Sequence, residues 1–272
     1  LKYACNVLEI KLPNREYEIA CYAYERLLFS LLVASDYYAT TYQKENYCIE
    51  SYGTITDINK LYQIYSDTDV MTKIRDYQKT EEHTEQNINS LRTELILESE
   101  QTLLRHLDEN IYYLEAPTGS GKSNTAMNLS FQLIRNCDCL DKIMYIYPFN
   151  TLVEQNESIL RKIFGENPEA IEQIKVVNSI TPIYQTEVKE ENEKYVTACQ
   201  KALLDRQFFN YPIAVSTHVT LFRTMFGDNR EDAFSFHQLA NSVIVLDEIQ
   251  SYRNEIWTEI IVFLKMFAKL LH

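Results

Sequence analysis

Glycine is scarce in this sequence, with five in 272 residues, and two of the five, Gly119 and Gly121, fall in a single short loop. Histidine is equally sparse: His83, His106, His218, His237 and His272 do not supply a His/His-Asp metal cluster. The six cysteines contain no Cys-x-x-Cys pair, and Cys137-Asp138-Cys139 has no Cys/His pair nearby. That excludes a zinc finger and fits the reduced thiols of a cytoplasmic protein. No apolar run reaches the roughly 18 residues that span a bilayer, and no signal peptide is visible, so no membrane partner is expected. Positive charge is also short: 26 Lys and Arg face 39 Asp and Glu, for a formal net charge of −13. Such a chain does not hold nucleic acid by bulk electrostatics. If it binds DNA or RNA, the grip must come from a local patch or from backbone donors, with a second lobe helping.

What is present is ordinary globular material, 46% hydrophobic and 24% charged, enough for a packed core. Residues 16–40 carry apolar side chains at helical spacing and read as one buried helix. Residues 41–86 are polar, tyrosine-rich and acidic, with a short helical pattern over 57–65, and read as a connector. An amphipathic helix is expected over 89–107. Beyond it, short apolar runs (111–114, 142–147, 174–177, 213–216 and 243–246) alternate with helical patterns near 124–135, 152–164, 193–205 and 219–226. This alternation implies βαβ units and a parallel sheet buried on both faces, an α/β fold. The charged segment 187–194 reads as a surface excursion, and 255–271 as a closing helix. Starting at Leu1 and stopping inside that helix, the sequence reads as a piece of something longer.

Ala116-Pro117-Thr118-Gly119-Ser120-Gly121-Lys122-Ser123 follows the first apolar run and opens a helix. In that setting backbone N–H groups converge on a phosphate, and the helix N-terminus adds a favourable dipole. Thr118, Gly119, Ser120 and Gly121 are therefore candidates to cradle the phosphates of ATP. Lys122 would reach the β- and γ-phosphates, and the Ser123 hydroxyl would ligate Mg²⁺. Ala116 stands where the commonest form of this loop has glycine, a departure shared by superfamily-two helicases. Far downstream, Val243-Ile244-Val245-Leu246 ends in Asp247-Glu248-Ile249-Gln250. A buried parallel strand delivers its last side chains to the carboxyl edge of the sheet, where nucleotides bind. Asp247 is the candidate for Mg²⁺, Glu248 for activating water, and Gln250 for sensing the γ-phosphate.

Two further strand ends lie between these motifs. Tyr147-Pro148-Phe149-Asn150-Thr151 and Ser216-Thr217-His218 each run from a strand into a helix. Taken alone, each is an ordinary turn with Asn or Thr as the helix cap. Placed in order between the two ATP motifs, Asn150, Thr151 and Thr217 become candidates for contacts to a sugar-phosphate backbone, which carry no base information.

The phosphate loop, the strings YPFNTLVEQN, VSTHVTLF and VIVLDEIQSY, and the Asn89-Ser90-Leu91-Arg92 run before them resemble the CRISPR-associated helicase-nuclease of type I systems. The resemblance implies a RecA-like P-loop domain over 87–272, a connector over 41–86, and the C-terminal remnant of a helical HD-type nuclease domain over 1–40. It implies ATP and Mg²⁺ as cofactors and single-stranded DNA as substrate, with recruitment by the crRNA-guided surveillance complex, Cascade. In the intact protein it also implies a transition metal at the HD site. Asp36, in Leu31-Leu32-Val33-Ala34-Ser35-Asp36, matches the last metal ligand of that site; an acid on an apolar helix can equally be a cap or a surface group. The other HD ligands do not occur in the 35 residues before it, and no Ser-Ala-Thr motif follows Met266. The chain is therefore expected to bind Mg-ATP and turn it over slowly. Two alternatives stay open: another DExH-type RNA or DNA helicase without a nuclease, and a non-catalytic P-loop ATP-binding module.

Overall fold

A computed structural model describes residues 14–45, 52–77, 88–177, 209–251 and 257–272. The expected excursion over 187–194 and the helix over 193–205 lie outside the described residues. Helix α1 (Asn14–Glu45) leads into α2 (Ile58–Ser66), α3 (Asp69–Arg75) and α4 (Ile88–Arg105). After α5 (Lys122–Asn136) come β1 (Lys142–Tyr147), α6 (Asn150–Phe164), α7 (Pro168–Glu172) and β2 (Ile174–Val177). The chain then continues through β3 (Ile213–Thr217), α8 (His218–Phe226), β4 (Ser242–Leu246) and α9 (Trp257–Leu271). The four strands form one parallel sheet in the order β2-β3-β1-β4, confirming the α/β class.

Period-two alternation sends successive side chains of this sheet to opposite faces. Ile143, Tyr145, Tyr147, Ile213, Val215 and Val243 enter one core with Met127, Phe131 and Phe164. Met144, Ile146 and Ala214 enter the other, with Phe236, Met266 and Phe267. Both cores recruit segments that precede the sheet. Leu61, Tyr65, Met71 and Ile74, from α2 and α3, are buried in the first. Within the stretch expected to be a connector, residues 58–74 thus pack against the first core. Their helices start where short polar side chains take up free amides: Asp57 accepts from the Lys60 N–H at 2.9 Å, and Thr68 caps α3.

Helix α1 supplies Ile19, Ala20 and Ala23 to the second core. Its opposite face leaves Tyr24, Leu28, Leu31 and Leu32 exposed, Leu32 at 70%, so the helix expected to be buried is buried on one side only. At the amino edge of the sheet the Lys142 ammonium is itself buried, donating to the carbonyls of Tyr52 and Gly53 at 2.5 and 2.8 Å. Burial lowers its pKa to about 8, partly opposed by neighbouring Asp141.

One expected strand is missing. Residues 111–114 take no part in the sheet, and Tyr113 is 68% exposed. An apolar run becomes a strand only when another strand accepts its ladder of N–H and C=O groups. No strand among the described residues does so, and β4 forms the edge of the sheet. The phosphate loop is therefore held by helices α4 and α5 and not by a strand of its own.

Candidate functional site

The register aligns the carboxyl ends of three strands. Tyr147 lies beside Thr217, Ile146 lies beside Leu246, and the Asp247 N–H donates to the Ile146 carbonyl at 3.0 Å. The turns carrying Asn150, Thr217 and Asp247-Glu248 consequently leave from a single edge. Tyr147, buried between them, has its hydroxyl pKa pushed up by desolvation, by Tyr145 and by the Asp247 carboxylate.

The loop over 116–123 turns through Pro117-Thr118-Gly119-Ser120, where the Ser120 N–H donates to the Pro117 carbonyl at 3.2 Å. Gly119 has φ +79° and Gly121 φ +92°, a left-handed conformation that a side chain resists. Apart from Gly119 and its two chain neighbours, no atom among the described residues lies within 4 Å of the point where a Cβ on Gly119 would sit, so the loop is open there. Gly121 is the N-cap of α5 and offers no side-chain cap, leaving the first amides of the helix without one. The Lys122 ammonium donates to the Ala116 carbonyl at 2.8 Å, which curls the side chain back over the loop. Ser120 Oγ is buried with no hydrogen-bond partner among the described residues, Thr118 is exposed, and Ser123 stands exposed on the first turn of the helix. Open space, uncapped amides, an ammonium held by one neutral carbonyl and an orphaned hydroxyl together fit a phosphate chain.

The carboxylate motif is tightly folded. Glu248 has φ +51°, a conformation that costs a non-glycine residue about 1–3 kcal/mol. Its N–H is taken by Asp247 Oδ1 at 2.8 Å, and its carboxylate accepts from the Gln250 amide. Asp247 and Glu248 are half-buried and Gln250 is exposed. Among the described residues no hydrogen bond or ion pair joins these groups to the phosphate loop.

Of the expected backbone contacts, Asn150 begins α6 half-buried and Thr151 is exposed one residue later. Thr217 is buried, and its hydroxyl caps α8, accepting from the Thr220 N–H and pairing with Thr220 Oγ1 at 3.2 Å. Phe149, which sequence reasoning passed over, is 59% exposed on this edge. Asp36 lies on the exposed side of α1, and no group of three or more His, Cys, Asp or Glu that could hold a metal occurs among the described residues. These residues do not by themselves fit a transition-metal site. No helix among the described residues is long and apolar enough to cross a membrane.

Sequence reasoning also gave no role to Arg92. Its Nε donates to the Gly119 carbonyl at 2.9 Å and its Nη1 to Asn89 Oδ1 at 3.3 Å. Besides the place of the Asn89–Arg92 run in the resemblance, the hint was that the Asn-x-x-Arg spacing puts both side chains on one face of a helix.

Comparison with known proteins agrees with this geometry. The profile of the DEAD/DEAH box helicase family matches residues 77–270. A curated relative, the CRISPR-associated nuclease/helicase Cas3 of Haloferax volcanii, is 24% identical over 151 residues, covering 53% of this chain and 16% of that protein. The chain thus spans about a sixth of the length of that relative. A glycine-hinged phosphate loop opening α5, a paired-acid motif at the end of β4 and a family match reaching from Tyr77 almost to the C-terminus have one common reading: the chain belongs to the DEAD/DEAH box helicases.

Proposed function

We propose that this chain is the ATP-binding lobe of a DNA helicase or translocase coupled to a single-stranded DNA nuclease in CRISPR interference. The observation that carries the motor part is the shared carboxyl edge, from which the Asn150, Thr217 and Asp247-Glu248 turns all depart. On this reading the phosphates of ATP lie along residues 118–123, and Lys122 leaves the Ala116 carbonyl for the β- and γ-phosphate oxygens. Ser123 and Asp247 are the residues for Mg²⁺, which supplies charge neutralisation at those phosphates. Glu248 takes the proton of the attacking water, and Gln250, its present partner, couples that carboxylate to the γ-phosphate. The DNA backbone lies over Asn150 and Thr151, with Thr217 acting through the helix start it caps.

Support for the CRISPR setting is the resemblance of the motifs together with the partial match to a nuclease/helicase of that kind. It brings Cascade as the recruiting partner, the cytoplasm as the location, and an order of HD remnant (1–40), connector (41–86) and motor lobe (87–272). On this reading Asp36 is a ligand only within that larger HD site.

The test is nucleotide binding and DNA-stimulated hydrolysis on the purified chain. ATP binding should fall at least about tenfold in Lys122→Ala, as expected when a charged hydrogen bond worth about 1.5–3 kcal/mol is removed. Glu248→Gln should bind ATP as wild type does while losing the slow turnover. Equal ATP binding by wild type and Lys122→Ala would refute the site. Fast DNA-stimulated turnover by the chain alone would refute the expectation that it is a slow half-motor.

A further inference from the structure

Resting on the nucleotide reading above, we infer that Arg92 is a positioning residue for the phosphate loop: it locks the Gly119–Ser120 peptide through the Gly119 carbonyl. Three observations converge on it. The Arg92 Nε donates to the Gly119 carbonyl oxygen at 2.9 Å, across 27 positions of sequence. Its stem lies along the loop, with Cγ, Cβ and Cδ at 3.6, 3.9 and 4.0 Å from the point where a Cβ on Gly121 would sit. The guanidinium is steadied from behind by Asn89 Oδ1, one helical turn earlier on α4.

The peptide it holds is one that needs holding. Gly119 lacks a Cβ, so rotation of the following peptide plane meets little steric resistance. A trans peptide points its C=O and N–H in opposite directions. Fixing the Gly119 carbonyl therefore also holds the Ser120 N–H, which donates to the Pro117 carbonyl at 3.2 Å and keeps the turn of the phosphate loop closed. The Arg92 bond also polarises that peptide, which strengthens its N–H as a donor. The brace is firm because α4 is tied to α5 further along. Glu100 accepts from Asn128 Nδ2 at 2.6 Å and from both terminal nitrogens of Arg75 at 3.0 Å. Loop, phosphate helix and α4 thus form one connected unit, with Arg92 at the loop end.

The chemistry separates this role from a direct charge contact. In a glutamine side chain the Nε2 occupies the place of the arginine Nε, three carbons out from Cα, so Arg92→Gln keeps a donor for the Gly119 carbonyl and loses the charge. The experiment measures the affinity of the full chain for a fluorescent ATP analogue and for ADP. It compares wild type, Arg92→Gln, Arg92→Ala, Lys122→Ala and Glu100→Gln, with thermal midpoints recorded alongside. The expected result is about tenfold weaker binding of both nucleotides in Arg92→Ala at an unchanged midpoint, and most of the affinity recovered in Arg92→Gln. Glu100→Gln should move the midpoint more than the affinity. Wild-type affinity in Arg92→Ala overturns the inference while leaving the nucleotide site intact. Equal losses in Arg92→Gln and Arg92→Ala overturn it in favour of a charge acting directly on phosphate. No nucleotide binding by wild type, or none lost in Lys122→Ala, removes the site and the inference with it.

Discussion

His237 should make the fold sensitive to mild acid. It lies in the turn Phe236–Leu239 before β4, where its Nδ1 is 2.8 Å from Ser30 Oγ on α1 and 3.1 Å from the Phe234 carbonyl. Its Nε2 lies 3.1 Å from the Gln238 amide nitrogen, which also donates to Asn210 Oδ1 at 2.6 Å. An amide nitrogen only donates, so Nε2 must accept, and the ring is neutral with its proton on Nδ1. Protonation would set two donors against each other in a buried place. Desolvation, with a smaller push from the Lys142 ammonium, lowers the pKa to about 4, against a partial rise from the Phe234 carbonyl.

Because the folded pKa lies below the unfolded value of 6.5, the unfolded state binds more protons between pH 6.5 and 4. Stability from this group is present above pH 6.5 and is lost as pH falls towards 4. The full effect is about 3 kcal/mol, of which about 2 kcal/mol is gone by pH 5. Carboxylates titrate in the same range, so the quantity to measure is a difference. Urea unfolding of wild type and His237→Gln at pH 7.5 and 5.0 should show the wild type losing about 2 kcal/mol more than the variant across that interval. Equal losses in the two proteins would show that His237 is not buried neutral, and the reasoning would fall.

Two further predictions concern packing. Gly53 has φ +72°, and a Cβ there would meet the Asn210 carbonyl carbon at 2.2 Å and the Tyr211 nitrogen at 2.3 Å. Gly53→Ala should cost roughly 2–5 kcal/mol, combining about 1–2 for the left-handed backbone with about 1–3 for the forced displacement, and an unchanged thermal midpoint would refute this. Phe131 is fully buried against the rings of Tyr62, Tyr65 and Phe164. Phe131→Ala should cost about 3–5 kcal/mol in chemical unfolding, and a loss under 1 kcal/mol would mean that this cluster is not the centre of the first core.

The parts legible in the sequence were those governed by local rules. The apolar runs at 142–147, 213–216 and 243–246 became strands because each has at least one neighbouring strand to pair with. The run at 111–114 has the same texture and did not, since texture cannot report whether a neighbour exists. The glycines of the phosphate loop were legible because their backbone angles demand glycine. The packing of residues 58–74 was not. Leu61, Tyr65, Met71 and Ile74 stand among polar neighbours, and their burial depends on α5, which lies some fifty residues later. Thr217 shows a limit of another kind: the same residue type at the same spacing serves a helix cap and a backbone contact, and its buried hydroxyl is occupied by the cap. The left-handed Glu248 is a tertiary fact with no signature of its own, and the reach of Arg92 shows in the sequence only as the Asn89-x-x-Arg92 spacing.

The polar seam along the phosphate helix bears on how the protein can be divided. Asn124, Asn128 and Gln132 recur at every fourth position of α5 and meet Tyr65, Glu100 and Tyr62. Two of those three partners, and the apolar residues that accompany them, precede Tyr77, where recognisable family similarity begins. The span matched by the family profile is thus narrower than the span packed into one core. A boundary drawn at Tyr77 would cut through a core instead of between two, leaving Asn124 and Gln132 without partners and one side of Phe131 facing water.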